Sequence, residues 1–221
     1  TLMAAAKSSC RIVMPSKPLQ FCAGTALCLL LIALPLQAKT ASEALIVHMN
    51  QLEGLRSDFV QTIYANGNIV ESSKGTMALA KPKLRWQVDA PFEQVIVVRP
   101  QRIEIYDADL AQLTIRETSA DQTATPASLL MHPEHLLSAD YQVSQFGNAD
   151  ARVFRLTPTG SSALFQRLEI TFERGTLESL VIIDWQEQQT QIRFENVLVD
   201  QNLSPSLFEL SVPKGTDVIR G

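Results

Sequence analysis

Apolar side chains fall at every second position in short runs along most of this chain. Between Gly75 and Pro91, Met77 and Leu79 form one run and Leu84, Trp86 and Val88 the next, with Lys81-Pro82 between them. Such alternation marks a strand with one apolar and one wet face. Proline has no N–H to give to a ladder, so the break reads as a connection between neighbouring strands. The same pattern predicts strands over 58–64, 69–80, 83–89, 94–99, 102–107 and 112–117, and then over 141–146, 151–157, 165–174, 177–185 and 190–198. A last strand is predicted around Phe208, Leu210 and Val212. Asn66-Gly67 favours a tight hairpin turn between the first two strands. Many sequential strands with short links describe an antiparallel meander curled toward a barrel.

Two stretches leave this pattern. From Thr40 onward, Leu45, His48 and Met49, Leu52, Leu55 and Phe59 recur at helical spacing. Ser42 is placed to cap the start and Glu43 lies in the first turn, where the helix dipole favours it. An amphipathic helix is expected there, with strand phase beginning near Ser57. Between Thr118 and Asp140 the alternation is lost again. Pro126 suits the first turn of a helix carrying Leu129, Leu130 and Met131, Pro133 interrupts it, and Leu136 and Leu137 start a second turn. The expectation is a helical insertion between two runs of strands.

The first 38 residues read differently from the rest. Lys7, Arg11 and Lys17 precede an apolar run from Leu19 to Leu36, and Ala38 follows at a suitable cleavage position. This is the pattern of a secretory signal peptide removed after Ala38, leaving one domain over 39–221. Cys10, Cys22 and Cys28 all lie in the leader, so the remaining chain has neither disulfide nor thiol chemistry. Cys22 follows Phe21 and Cys28 follows Leu27, which does not fit a lipid-attachment cysteine. The leader holds three of the 19 basic residues and none of the 23 acidic ones, so the remainder carries a net charge of −7 with histidine neutral. That charge argues against nucleic-acid binding. A soluble protein of an extracytoplasmic space is expected.

Catalytic chemistry is thin. His132 and His135 flank Pro133-Glu134, and the third histidine, His48, is distant in sequence, so no metal or cofactor site is expected. Acidic residues such as Glu169 and Glu195 sit on wet strand faces two residues from Arg167 and Arg193, where cross-strand pairing accounts for them. No nucleophile elbow or phosphate-binding loop occurs. The chain is expected not to be an enzyme. Met77, Leu79, Trp86, Ile96, Ile105, Leu168, Ile170 and Phe172 can form an ordinary sandwich or barrel core. Equally, a curled sheet covered by two apolar helical segments makes a container for acyl chains or other greasy cargo.

Motifs spread over nearly the whole remaining length resemble the LolA family of periplasmic outer-membrane lipoprotein carriers. They are Ser57-Asp58-Phe59-Val60-Gln61; Gly75 with Lys81-Pro82 six positions on; Leu84-Arg85-Trp86; Asp89-Ala90-Pro91; Tyr106-Asp107 with Leu110 and Gln112; Thr125-Pro126 with Leu129-Leu130; Leu156-Thr157-Pro158; and Phe208 with 213–219. The resemblance implies an unclosed antiparallel β-barrel covered by an α-helical lid, a mainly β fold with helices. It implies a monomeric periplasmic carrier that takes triacylated lipoproteins from an inner-membrane ABC transporter to an outer-membrane receptor. A carrier of another envelope acyl lipid or glycolipid on the same half-barrel is the alternative. Leu45, Met49, Leu52, Phe59, Met77, Leu79, Trp86, Val88, Ile96, Ile105, Leu129, Leu130, Met131, Leu168, Ile170 and Phe172 are then expected to line the acyl cavity. Lys81 stands where the family keeps an arginine lid latch, and Lys81 with Arg85 is expected to tune lid closure. The loop to Trp86 is one residue short, and Arg99-Pro100-Gln101 replaces the family's Asp-Gly turn.

Overall fold

The computed structural model describes residues 40–117, 130–132, 140–160, 165–200 and 202–221. The expected leader, and within the helical insertion Leu129, His135, Leu136 and Leu137, lie outside them.

Among the described residues, helix α1 (Ala41–Asn50) precedes twelve strands: β1 (Gly54–Ala65), β2 (Asn68–Ala80), β3 (Lys83–Ala90), β4 (Gln94–Arg99), β5 (Arg102–Asp107), β6 (Gln112–Glu117), β7 (Tyr141–Gly147), β8 (Ala151–Pro158), β9 (Arg167–Glu173), β10 (Thr176–Ile183), β11 (Gln189–Val199) and β12 (Asp217–Arg220). They form a single sheet in the order β12-β6-β5-β4-β3-β2-β1-β11-β10-β9-β8-β7. Every pairing is antiparallel except that of β12 with β6. β7 and β12 are its two ends, so the sheet is unclosed. Eleven strands coincide closely with those expected from alternation. Asn66 and Gly67 make the β1–β2 turn with φ of 51° and 77°, the left-handed geometry of a tight hairpin.

The helix is shorter than its periodicity suggested. Thr40, not Ser42, caps it: Glu43 N donates to Thr40 Oγ1 at 3.2 Å, and Thr40 N donates to Glu43 Oε2 at 2.8 Å. This reciprocal pair satisfies two N–H groups that the first turn leaves open. The helix ends at Asn50, and Leu55 and Phe59 belong to β1. Residues four apart share a face in a strand as well as in a helix, which is why spacing alone did not separate the two readings.

The last expected strand is also different. The chain after β11 crosses the sheet as a strap with one 3-10 turn, Pro205–Phe208. Leu203, Leu207, Phe208 and Leu210 pack there on Ala78, Val95 and Val97. The strap's apolar residues are spaced for burial against a sheet face, not for pairing with another strand. The terminal strand is β12, further on.

These contacts define two faces. An outer face lies under the strap. An inner face carries the larger apolar cluster, contributed by α1, β1–β3 and β8–β11. The two arms of the sheet approach each other, because adjacent residues of α1 touch both. Lys81, at the β2–β3 turn, donates to Met49 O, while His48 stacks on Phe172 of β9 at 4.9 Å. β2 and β9 are four strands apart, roughly 19 Å in a flat sheet. Only a curled sheet brings both within reach of one helical turn.

Candidate functional site

The inner face is built by register. Ser57, Met77, Trp86, Ile96 and Ile105 lie side by side across β1–β5, and Phe154, Ile170, Leu180 and Ile192 lie across β8–β11. Phe59 and Trp86 stack with centroids 3.9 Å apart, and Trp86 meets Phe194 edge-on at 6.4 Å. From α1 and the link after it, Leu45, Met49 and Leu52 enter the same cluster, each at most 2% exposed. Leu130 and Met131 join it. Offset and edge-to-face aromatic pairs hold such a face together without polar contacts.

Most of the residues expected to line an acyl cavity therefore meet: Leu45, Met49, Leu52, Phe59, Met77, Leu79, Trp86, Val88, Leu130, Met131, Leu168, Ile170 and Phe172. Ile96 and Ile105 continue the inner-face row beyond Trp86 but are only half-buried and lie outside the packed cluster. Leu129 lies outside the described residues. Leu84, Phe154, Phe165, Leu177 and Phe194 belong to the cluster but were not among the residues expected to line the cavity. Phe154, between Val153 and Arg155 on an alternating strand, carried the same signal as Phe172.

The two expected latch residues point to different places. Lys81 meets α1 through its side chain, whose ammonium donates to Met49 O, while its backbone N–H extends the β1–β2 ladder by donating to Glu53 O at 3.2 Å. Carbonyls in a helix's last turn lack intrahelical partners and carry partial negative charge, so a cation there is favoured. Arg85 does not reach α1. It pairs with Ala78, one step from the Met77–Trp86 pair, and so lies on the outer face. Its guanidinium donates to Gln87 Oε1 at 2.9 Å and to Leu207 O of the strap at 3.4 Å. Burial lowers its pKa. Among the described residues, Arg85 fastens the strap. A cleft of about 720 Å³ opens beside it, lined by residues including Arg56, Asp58, Asn196 and Glu209. Met77, Ala78, Leu198 and Leu207 complete a lining of mixed polar and apolar character.

His48 is a contact that sequence did not flag. It stacks on Phe172, lies 5.7 Å from Phe154, and its Nε2 accepts from Arg152 Nη1 at 3.1 Å. That places the proton of the neutral ring on Nδ1, which is buried without a partner. Burial first, and then the Arg152 guanidinium, hold its pKa below the ordinary histidine value. Protonation would replace the acceptor facing Arg152 with a second cation. The helix's docking free energy from this contact is therefore complete above about pH 6.5 and declines as pH falls below it. Amide exchange in α1, corrected for intrinsic rates, is expected to quicken between pH 7.5 and 5.0. His48→Phe should remove that pH dependence.

Residues 50–211 match the family model of the outer membrane lipoprotein carrier protein LolA. The chain belongs to the LolA family. It is 36% identical over 194 residues to an outer-membrane lipoprotein carrier protein of Chromohalobacter salexigens, covering 86% of this chain and 92% of that protein. A protein of the same name from Legionella pneumophila (strain Lens) is 32% identical over 184 residues, covering 83% and 91%. An uncharacterized conserved protein from Thermus thermophilus shares the fold, with a TM-score of 0.55 over 82% of this chain and all of that one at 12% identity. Among the described residues, no helix is long and apolar enough to cross a membrane.

Proposed function

We propose that this LolA-family protein is a non-enzymatic periplasmic carrier that holds the acyl chains of lipoproteins against its inner face. The observation that carries this reading is the curled apolar face closed by α1, with the helix tethered through Lys81 and stacked through His48. Exported with a leader removed after Ala38, it would work as a monomer. It would accept triacylated lipoproteins from an inner-membrane ABC transporter and pass them to an outer-membrane receptor. The relatives' names support the cargo, and the apolar character of the cluster supports its chemistry.

The energetics fit a relay. Burying a 16-carbon chain gains about 12 kcal/mol at ~0.8 per methylene. Leaving a bilayer without help would cost a similar amount, so loading needs a driven donor. Release needs only a somewhat better acceptor, since each ~1.4 kcal/mol is tenfold. A lid whose closure competes with cargo lowers net affinity and makes handover downhill.

Mass spectrometry of material bound to the protein isolated from periplasm tests this. Triacylated lipoprotein peptides are the expected cargo. Free phospholipid or glycolipid with no lipoprotein would overturn it in favour of another acyl-lipid carrier.

A further inference from the structure

Register assigns the described strand connections to two rims of the sheet. At the rim formed by the β1–β2, β3–β4, β5–β6 and β10–β11 turns, five large apolar side chains are about half or more exposed. Ile69 is 63% exposed, Val70 57%, Phe92 68%, Leu110 68% and Trp185 49%. Turns ordinarily carry polar residues, so apolar side chains gathered on one rim call for an explanation.

The rim also contains a step. β2 pairs with β1 as far as Asn68, but its pairing with β3 begins only at Lys74, opposite Ala90. Residues 68–73 therefore present an unpaired edge on the β3 side among the described residues, roughly 20 Å long. An added strand here would run in line with β3, above the β3–β4 turn with Pro91 and Phe92. That floor is held in place: Ala108 N donates to Glu93 O at 3.1 Å, and Leu110 N donates to Asp107 Oδ1 at 3.1 Å. At the foot of the edge, Ser73 is buried and its hydroxyl has no partner. Natural sheets blunt exposed edges with lysine, proline or inward charges, because a bare edge templates pairing. This edge reads Asn-Ile-Val-Glu-Ser-Ser, with Lys74 only at its inner end.

Charge selects the occupant. Glu71 lies on the edge, and Asp89, Glu93, Asp107 and Asp109 surround the floor. An anionic bilayer would be repelled there, whereas a basic protein segment would be steered in. We propose that this step binds an extended, basic segment of a partner protein as an added strand on β2. Its main chain would pair with residues 68–73, and its apolar side chains would meet Ile69, Val70 and Phe92. This goes beyond the carrier reading, because none of these residues belongs to the inner-face cluster.

The probe is a capped hexapeptide alternating lysine and valine, added to the intact protein while amide exchange is followed residue by residue. Slowed exchange over 68–73 is expected, with binding that weakens as salt rises. Replacing the peptide's lysines by glutamate, or introducing Ile69→Lys with Val70→Lys, should weaken it at least tenfold. Leu198→Ser, at the opposite end of β11, should leave it unchanged. A thermal melt of the double variant confirms that it folds, and its retention of acylated cargo tests the carrier reading separately. No protection at 68–73, equal affinity for the two peptides, or undiminished binding by the folded double variant would overturn the proposal. So would protection of the same amides by phosphatidylglycerol vesicles in place of the peptide.

Discussion

Gly75→Ala is expected to destabilise the protein by about 3 kcal/mol, the upper part of the usual range for overpacking. For a domain of this size that corresponds to a fall in Tm of roughly 6–12 °C. The reason is local. A register shift between Lys74 and Gly75 presses the β2 backbone onto β3. A Cβ at Gly75 would lie 1.8 Å from Gln87 O and 2.9 Å from Val88 Cα. These are backbone atoms, so no side-chain rotation relieves the clash. Gly75 also stands between Phe59 on β1 and Val88 on β3, and its bare backbone lets Phe59 lean across to stack on Trp86. The substitution should therefore disturb the inner face as well as the sheet. Gly67→Ala is the comparison: its φ is 77° but nothing lies within 4 Å of an added Cβ, so a cost of only about 1 kcal/mol is expected. Denaturant melts of the two variants check the contrast, and equal losses would contradict it.

Lys81→Leu should hold acyl cargo roughly tenfold more tightly than the parent and release it correspondingly more slowly. The substitution removes the charged donor to Met49 O, a contact worth about 1.5 kcal/mol where the donor is ionised. It leaves the main-chain bond from residue 81 to Glu53 O. Closure of the empty lid then competes less with cargo, and the balance shifts toward the loaded state. Lys81→Arg keeps a cationic donor and should stay near the parent. Cargo affinity and transfer between two membrane preparations read both effects. Unchanged loading and release in Lys81→Leu would remove this side chain from the mechanism.

Alternation made most of the sheet legible, because a half-buried strand writes its two faces directly into the sequence. β9 is the clearest case: Leu168, Ile170 and Phe172 are buried, with more exposed Glu169 and Thr171 between them. Where two periods coincide, the sequence was ambiguous. Leu55 and Phe59 satisfy both helical and strand spacing, and only Gly54, which opens β1, separates the two. The strap was misread as a strand because an extended segment packed on a sheet alternates like a paired one. Lys81 and Arg85 sit four residues apart around a turn, and nothing local says that one faces α1 and the other the strap. That depends on the Met77–Trp86 register, a property of the pairing and not of either strand. His48 was invisible for a similar reason. Its partners Arg152, Phe154 and Phe172 come from the far arm, and only curling brings them to the helix.

The central claim is that acyl chains lodge against the inner face beside Phe59 and Trp86. Trp86 is itself the reporter, since the chain has one other tryptophan, Trp185, on an exposed turn. In a Trp185→Phe background, lipoprotein carrying brominated acyl chains should quench Trp86 emission strongly on loading. In a Trp86→Phe background, Trp185 should be little affected. Loading that leaves Trp86 unquenched, or quenches both tryptophans equally, would place the cargo elsewhere and contradict the account.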